Sequence, residues 1–192
     1  MRHHFDECLA FTLSAEGGFS DHAADPGGAT NMGVTRATLA AVRGHAVSKA
    51  DVRALTRAEA ADIYRALYWK AVRGDELPGG VDAVVFDHAV NSGPKAAIRA
   101  LQSALGFKQD GVLSRRCVLA AQASDYGALV RKLCAARMDF LRRLSTWLVF
   151  RRGWTARMEA LERMALGLCA HPPKRAATPV QDPSRAAAQT KE

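Results

Sequence analysis

Apolar residues recur along most of this chain at the three- and four-residue spacing of amphipathic helices. Phe5, Leu9 and Leu13 predict a first helix over residues 3–15, and Gly17 and Gly18 end it. Seven further helices follow from the same spacing. They are predicted at about residues 35–44, 56–69, 81–90, 94–105, 114–123, 125–144 and 154–168.

Residues that favour helix ends support these boundaries. Thr56 and Glu59 form a capping box, and Thr35, Ser114 and Asp125 are each suited to cap a helix. Pro94 fits the first turn of its helix. No segment has convincing strand alternation, although a small β-hairpin could lie within residues 19–34, where glycines obscure the pattern. The sequence therefore predicts a mainly α fold.

The last part of the chain has a different composition. From His171 onward it contains four prolines and many alanines and polar residues, but no aromatic residue. Such a segment has too little apolar surface to build a core. We therefore expect a disordered tail over residues 171–192.

Composition places the chain among soluble globular proteins. It has 192 residues, of which 48% are hydrophobic and 24% charged, enough for one compact domain or two small ones. No apolar run is long enough to cross a bilayer. The cysteines at 8, 117, 134 and 169 lack metal-binding spacing, which favours buried free thiols and gives no reason to expect a metal.

Positive charge is concentrated near the C-terminus. Residues 131–175 contain eleven Lys or Arg and three acidic residues, so their net charge of +8 equals that of the whole chain. Such basic helices attract polyanions over long range. They predict contact with an anionic wall or membrane surface, unless they are only a solvated face. Nucleic acid is not expected, because no recognition motif accompanies the charge.

The densest chemical pattern begins at Glu16. This residue opens a glycine-rich stretch that continues to Thr35, with Asp25 nine residues after Glu16 and Thr30 five further on. A glutamate held against apolar residues can keep its proton and act as a general acid. Asp25 and Thr30 could hold a water or stabilise the transition state of glycoside cleavage, or they could shape the loop.

The stretch from Glu16-Gly17-Gly18 through Asp25-Pro26-Gly27-Gly28-Ala29-Thr30-Asn31-Met32-Gly33-Val34-Thr35 resembles the signature of glycoside hydrolase family 108. Members of this family are N-acetylmuramidases. The order Glu, Asp, Thr also resembles the triad of phage-type lysozymes. The resemblance implies a lysozyme-like helical domain in which Glu16 is the general acid, while Asp25 and Thr30 hold the attacking water. A water held in this way favours inversion, but the separation of the two carboxylates, which would decide between inversion and retention, does not follow from the sequence.

The second half resembles the predicted peptidoglycan-binding segment that usually follows this hydrolase. The matching stretches are 85–93, 101–106, 110–112, 137–144 and 153–157, with Ser114 and Cys117 as departures. The resemblance predicts a catalytic segment over residues 1–75 and a binding segment over residues 76–170, packed on it.

Four further residues are candidates for substrate binding. Asp87 and Asn91 lie one turn apart near the end of a helix, where they could line the sugar cleft or anchor the following turn. Tyr64 and Trp69 could edge a groove or belong to the core. No cofactor is expected.

The predicted function is hydrolysis of the β-1,4 bond between N-acetylmuramic acid and N-acetylglucosamine in peptidoglycan glycan strands. The alternatives are a lytic transglycosylase and a non-catalytic protein that binds the wall or assists secretion. The protein is expected to be a monomer, made in the bacterial cytoplasm without a clear signal peptide. It would reach the periplasm or wall as an endolysin of a phage or gene-transfer particle, through a holin-type release, or by another release such as a dedicated secretion system.

Overall fold

The structure is a computed structural model that describes residues 4–15, 17–21 and 28–170. Nine α-helices and one β-hairpin make up the regular structure of these residues. The helices are α1 (Phe5–Ala15), α2 (Arg36–Arg43), α3 (Lys49–Arg53), α4 (Arg57–Tyr64), α5 (Val81–Ser92), α6 (Pro94–Ala104), α7 (Arg115–Ala123), α8 (Tyr126–Arg142) and α9 (Trp147–Ala170). A π-helical turn at Arg65–Trp69 continues α4, and a 3₁₀ turn lies at Gly74–Glu76. The prediction of a mainly α fold is confirmed.

Helix α5 lies at the centre of the molecule. Every residue from Val81 to Asp87 is buried, and the helix packs against α1, α6, α8 and α9. Gly80 precedes it with a φ of 86°, and a Cβ at this position would collide with the carbonyl oxygen of Ala165 on α9. Glycine is therefore required where α9 crosses the start of α5.

One continuous hydrophobic core joins the two predicted segments. It includes Phe5 and Leu9 of α1 together with Leu133 of α8 and Leu161 of α9. The division at residues 75 and 76 into catalytic and binding segments remains a prediction. None of the described helices is both long and apolar enough to cross a bilayer.

Two helices differ from the prediction. Helix α3 was not predicted, although Ser48 and Asp51 form a capping box at its start. Helix α9 begins at Trp147 rather than at Trp154. Residues 147–150 are all apolar although Leu148 and Val149 are exposed, and this unbroken run obscures the helical spacing of Trp147, Phe150 and Trp154.

Candidate active site

A two-stranded hairpin forms the second half of the glycine-rich stretch. Strand β1 (Thr30–Asn31) pairs antiparallel with β2 (Val34–Thr35), and Thr30 lies opposite Thr35. The turn residues Met32 and Gly33 have φ values of 49° and 73°. Two left-handed residues match the twist of a tight hairpin. The hairpin predicted within residues 19–34 is therefore present, and β2 extends one residue beyond that range.

Hydrogen bonds fix the hairpin to α3 and α4. The Asn31 side-chain amide donates to the carbonyl oxygens of Val52 at 3.1 Å and Arg53 at 3.2 Å. The Tyr64 hydroxyl donates to the carbonyl oxygen of Met32 at 3.0 Å. Since Asn31 and Tyr64 are both buried, these bonds satisfy polar groups that would otherwise destabilise the fold.

Helix α3 also holds the first arm of the loop, residues 17–21. The Arg53 guanidinium lies 4.2 Å from the centre of the Phe19 ring, and Lys49 Nζ lies 3.0 Å from Asp21 Oδ2. Ser20 forms two backbone hydrogen bonds with Thr30, at 2.7 and 2.8 Å. The two ends of the loop are thus held side by side on the same short helix.

The structure places one of the three predicted catalytic residues. Thr30 is half-buried, and its Oγ1 donates to the carbonyl oxygen of Gly28 at 3.3 Å, a long hydrogen bond. Its side chain stays close to the loop backbone. Glu16 and Asp25 lie outside the described residues, so the predicted grouping of all three side chains remains a prediction.

Asp87 is at the centre of a buried ion network. Its carboxylate accepts hydrogen bonds from Arg137 Nη1 at 2.6 Å and Arg157 Nη2 at 2.7 Å, and Asp87 is only 1% exposed. This network joins α5 to both C-terminal helices. The neighbouring His88 is largely buried, and burial followed by the charge of Arg137 lowers its pKa to about 4. His88 is therefore neutral at physiological pH.

Asn91 lies at the rim of a groove next to this network. Its side-chain amide donates to the backbone carbonyl of Asp87 at 2.8 Å, which anchors the end of α5. The groove has a volume of about 310 Å³. Its lining from the three helices includes Asn91, Phe140, Trp154 and Arg157. Asn91 is thus both a local anchor and open to a ligand.

Comparison with known proteins identifies the family. The model described as Glycosyl hydrolase 108 matches residues 9–93. The solved structure of SagA from Brucella abortus is 43% identical in sequence, with a TM-score of 0.78. The match covers 88% of this chain and 97% of that one. The chain belongs to glycosyl hydrolase family 108. No curated protein matches it.

Family membership makes the protein a glycoside hydrolase that acts on peptidoglycan. The matched residues 9–93 include the whole glycine-rich stretch together with α2 to α5. They end at Gly93, just after Asn91. The match therefore covers all seven residues that the sequence predicts as site residues.

Three of those residues have buried side chains in this hydrolase: Asp87, described above, and the aromatic residues Trp69 and Tyr64. Trp69 is fully buried, and its Nε1 donates to Asp75 Oδ1 at 2.6 Å. Its ring makes edge contacts with Phe5 and Phe86, and Phe86 also contacts Tyr64. Tyr64 thus supports the hairpin from within the core through its bond to Met32, while Trp69 packs deeper in the same core. A direct contact of either with sugar remains a prediction, as it does for Asp87.

Sequence reasoning missed the residues that position the loop of this hydrolase. Asn31, Lys49 and Arg53 make those contacts, and two of them lie on the unpredicted α3. A signal for α3 was present, because Ser48 and Asp51 have the spacing of a capping box. The contacts themselves have no local signal in the sequence.

Proposed function

We propose that this hydrolase is an N-acetylmuramidase that cleaves the β-1,4 bond between N-acetylmuramic acid and N-acetylglucosamine. The observation that carries the proposal is the anchored hairpin at Thr30 inside the matched family region. An active site must hold its catalytic groups in fixed positions around the bond that is cleaved, and a rigidly supported loop can do so. Helix α1 ends at Ala15, so Glu16 follows it directly in the chain.

Glu16 is proposed as the general acid. A protonated carboxyl group next to the glycosidic oxygen donates its proton as the bond breaks. Asp25 and Thr30 would hold a water on the opposite face of the sugar, and the attack of that water would invert the anomeric carbon. Thr30 suits this role because it is half-buried and its backbone is fixed by two hydrogen bonds to Ser20.

The groove beside Asn91 is proposed to bind the glycan strand. It has exposed polar atoms at Asn91 and aromatic surface at Trp154, a combination suited to sugar rings. Arg157, which also lines it, lies 5.9 Å from the centre of the Phe11 ring on α1. The groove therefore opens next to the helix that precedes Glu16, as expected for a segment that binds peptidoglycan.

The proposed setting follows from the substrate. Peptidoglycan lies outside the cytoplasmic membrane, so a monomeric endolysin of a phage or gene-transfer particle would act there after a holin-type or other release. An assay with living cells tests this setting. Cells that express the protein in the cytoplasm should grow normally while the inner membrane is intact. Permeabilising the inner membrane of the same cells should lead to lysis.

The deciding experiment compares wild type, Glu16→Gln and Glu7→Gln on purified peptidoglycan, with products read by mass spectrometry. Glu7 is an exposed glutamate on α1 and serves as the matched control. We expect reducing N-acetylmuramic acid ends from wild type and Glu7→Gln. The rate of Glu16→Gln should fall on the order of a hundredfold or more. Proton NMR of the first products should show the α-anomer.

Other outcomes would support other functions. Anhydro-sugar ends would indicate a lytic transglycosylase. An absence of products from all three proteins, with the protein pelleting on the wall, would indicate a non-catalytic wall-binding or secretion-assisting protein. A Glu16→Gln variant as active as wild type would remove Glu16 from the mechanism.

A further inference from the structure

An exposed apolar surface lies where α8 turns into α9. We call residues 140–154 the tip; it contains the end of α8, the connecting turn and the start of α9. Leu148 and Val149 are each 76% exposed, Phe150 is 50% exposed and Phe140 is 45% exposed. Single exposed apolar residues are common, but several within one short segment, three of them consecutive here, usually mark a contact surface.

The same tip is strongly cationic. It contains four arginines, at 142, 143, 151 and 152, and no acidic residue. Arg142 forms an exposed ion pair with Asp139 at 3.1 Å. Within the described part of the chain, the other three arginines form no ion pair. Their charges are therefore available to an anionic partner.

Aromatic packing gives the tip a defined shape. The Trp154 ring contacts Trp147 at a centroid distance of 6.3 Å and Phe150 at 5.4 Å. These three residues have the spacing of one helix face, and Trp154 also lines the groove beside α8. Leu148 and Val149 lie on other faces and project away from the protein. The apolar surface is thus displayed by a packed helix.

We propose that the tip docks on the anionic surface of a phospholipid bilayer. Arginine guanidinium groups bind phosphate, while the adjoining apolar side chains enter the boundary between headgroups and acyl chains. Charge attraction and apolar insertion together give stable membrane binding where either contact alone is marginal. Tryptophan next to this boundary is typical of surfaces that contact membranes.

The combination of charge and exposed apolar surface favours a bilayer over other partners. Glycan strands carry carboxylates and wall polymers carry phosphates, but neither offers a hydrocarbon layer for Leu148 and Val149. A second copy of this chain would bring the arginines of both tips together, which is unfavourable.

The test measures binding of the full chain to vesicles by co-sedimentation. The protein carries Glu16→Gln, so that the result does not depend on catalysis. The vesicles contain either phosphatidylcholine alone or phosphatidylcholine with phosphatidylglycerol. We expect binding to the anionic vesicles only, with a shift of tryptophan fluorescence to shorter wavelength. Added salt should weaken the binding.

Two double variants test the tip. Leu148→Ser with Val149→Ser should lower vesicle affinity about tenfold or more, because two exposed apolar side chains lose their contact with lipid. Arg151→Gln with Arg152→Gln should lower it on the order of tenfold. Matched controls change residues outside the tip. Val112→Ser with Leu119→Ser and Arg115→Gln with Arg116→Gln alter exposed residues and should bind as wild type does.

Several results would overturn the proposal. These are absence of binding to anionic vesicles, equal binding to neutral vesicles, and retention of wild-type affinity by both tip variants. Reduced pelleting of the tip variants with purified peptidoglycan, without a change on vesicles, would assign the tip to the wall. A dimer that Leu148→Ser with Val149→Ser dissociates in analytical ultracentrifugation would assign it to a second copy.

Discussion

The hydroxyl group of Tyr64 donates a hydrogen bond to the backbone carbonyl of Met32, at 3.0 Å, in the turn of the hairpin. Met32 has a φ of 49°, which non-glycine residues seldom adopt. A buried side chain of α4 thus supports a strained turn next to Thr30. This contact links the stability of the core to the geometry of the proposed active site.

Tyr64→Phe should separate these two effects. Loss of one hydrogen bond should lower the free energy of unfolding by about 1 kcal/mol. The hairpin should also become more mobile, so kcat should fall while the protein remains folded. Urea denaturation and a peptidoglycan turbidity assay measure the two quantities.

Tyr126→Phe is the matched control for this contact. Tyr126 donates to the carbonyl oxygen of Gln122 at 3.0 Å, on an exposed surface of α8. Its loss should leave kcat unchanged. An unchanged kcat in Tyr64→Phe would mean that the hairpin needs no support from α4.

Asp87→Asn should destabilise the protein strongly. Asp87 is buried between Arg137 and Arg157, and its neutralisation leaves two arginines without their counter-charge. Removing one partner of a buried ion pair costs about 3–5 kcal/mol. Thermal denaturation should therefore give a much lower Tm.

Asp139→Asn is the comparison on the surface. Asp139 pairs with Arg142 at 3.1 Å, and both side chains are exposed. Its replacement should change stability by about 1 kcal/mol or less. Equal effects of the two substitutions would show that the buried network contributes no more than a surface pair.

Stability should decrease with rising pH through His4. His4 Nδ1 lies 3.0 Å from Asp82 Oδ2, and this hydrogen bond raises the pKa of His4. Burial raises the pKa of Asp82, although the bond to His4 and backbone donors at Ala83 and Gly80 oppose that effect. A raised histidine pKa stabilises the fold below the ordinary value of about 6.5. That contribution disappears as the pH rises through the raised value.

The measurement is the stability of wild type and His4→Gln as a function of pH. The advantage of wild type should be largest in mildly acid solution and should shrink toward alkaline pH. His45→Gln changes an exposed histidine and should not alter the profile. A stability difference between wild type and His4→Gln that stays constant with pH would show that protonation of His4 does not contribute to the pH dependence.

The thiols should be unreactive in the folded protein. Burial raises the pKa of Cys134 to about 12 and that of Cys8 well above its usual range. Burial also raises the pKa values of Cys117 and Cys169. The thiolate is the reactive form, so a thiol reagent at about pH 8 should react slowly with native protein. In denaturant all four cysteines should react at once. Fast labelling of any native cysteine would contradict this.

Local signals in the sequence predict most helices correctly. Thr35, Thr56, Ser114 and Asp125 each cap the helix expected of them. Capping depends on a residue and its neighbours within one turn, so the sequence carries the whole signal. The apolar spacing also predicts buried cysteines at 8, 134 and 169; the structure confirms buried free thiols at 8 and 134, whereas Cys169 is only partly buried.

Local signals do not predict the features that depend on contacts between residues far apart in the sequence. Helix α3 has five residues, too few for an amphipathic pattern, and its packing against the loop stabilises it. At the start of α9, the exposed apolar residues Leu148 and Val149 obscure the spacing of the apolar face. The burial of Trp69 and Asp87 also depends on partners from distant parts of the sequence, Phe5 for Trp69 and two arginines for Asp87, while a contact of either with sugar stays a prediction.

The sequence by itself determined the family signature, the mainly α fold and the order of most helices. These properties reside in short stretches of neighbouring residues. The tertiary structure decided that Asn31 and Tyr64 hold the hairpin, that Asp87 joins Arg137 to Arg157, and that the tip displays its apolar residues. Each depends on side chains 20 or more residues apart, or on exposure at the end of a packed helix pair. These side chains become buried, exposed or paired only when the helices pack together.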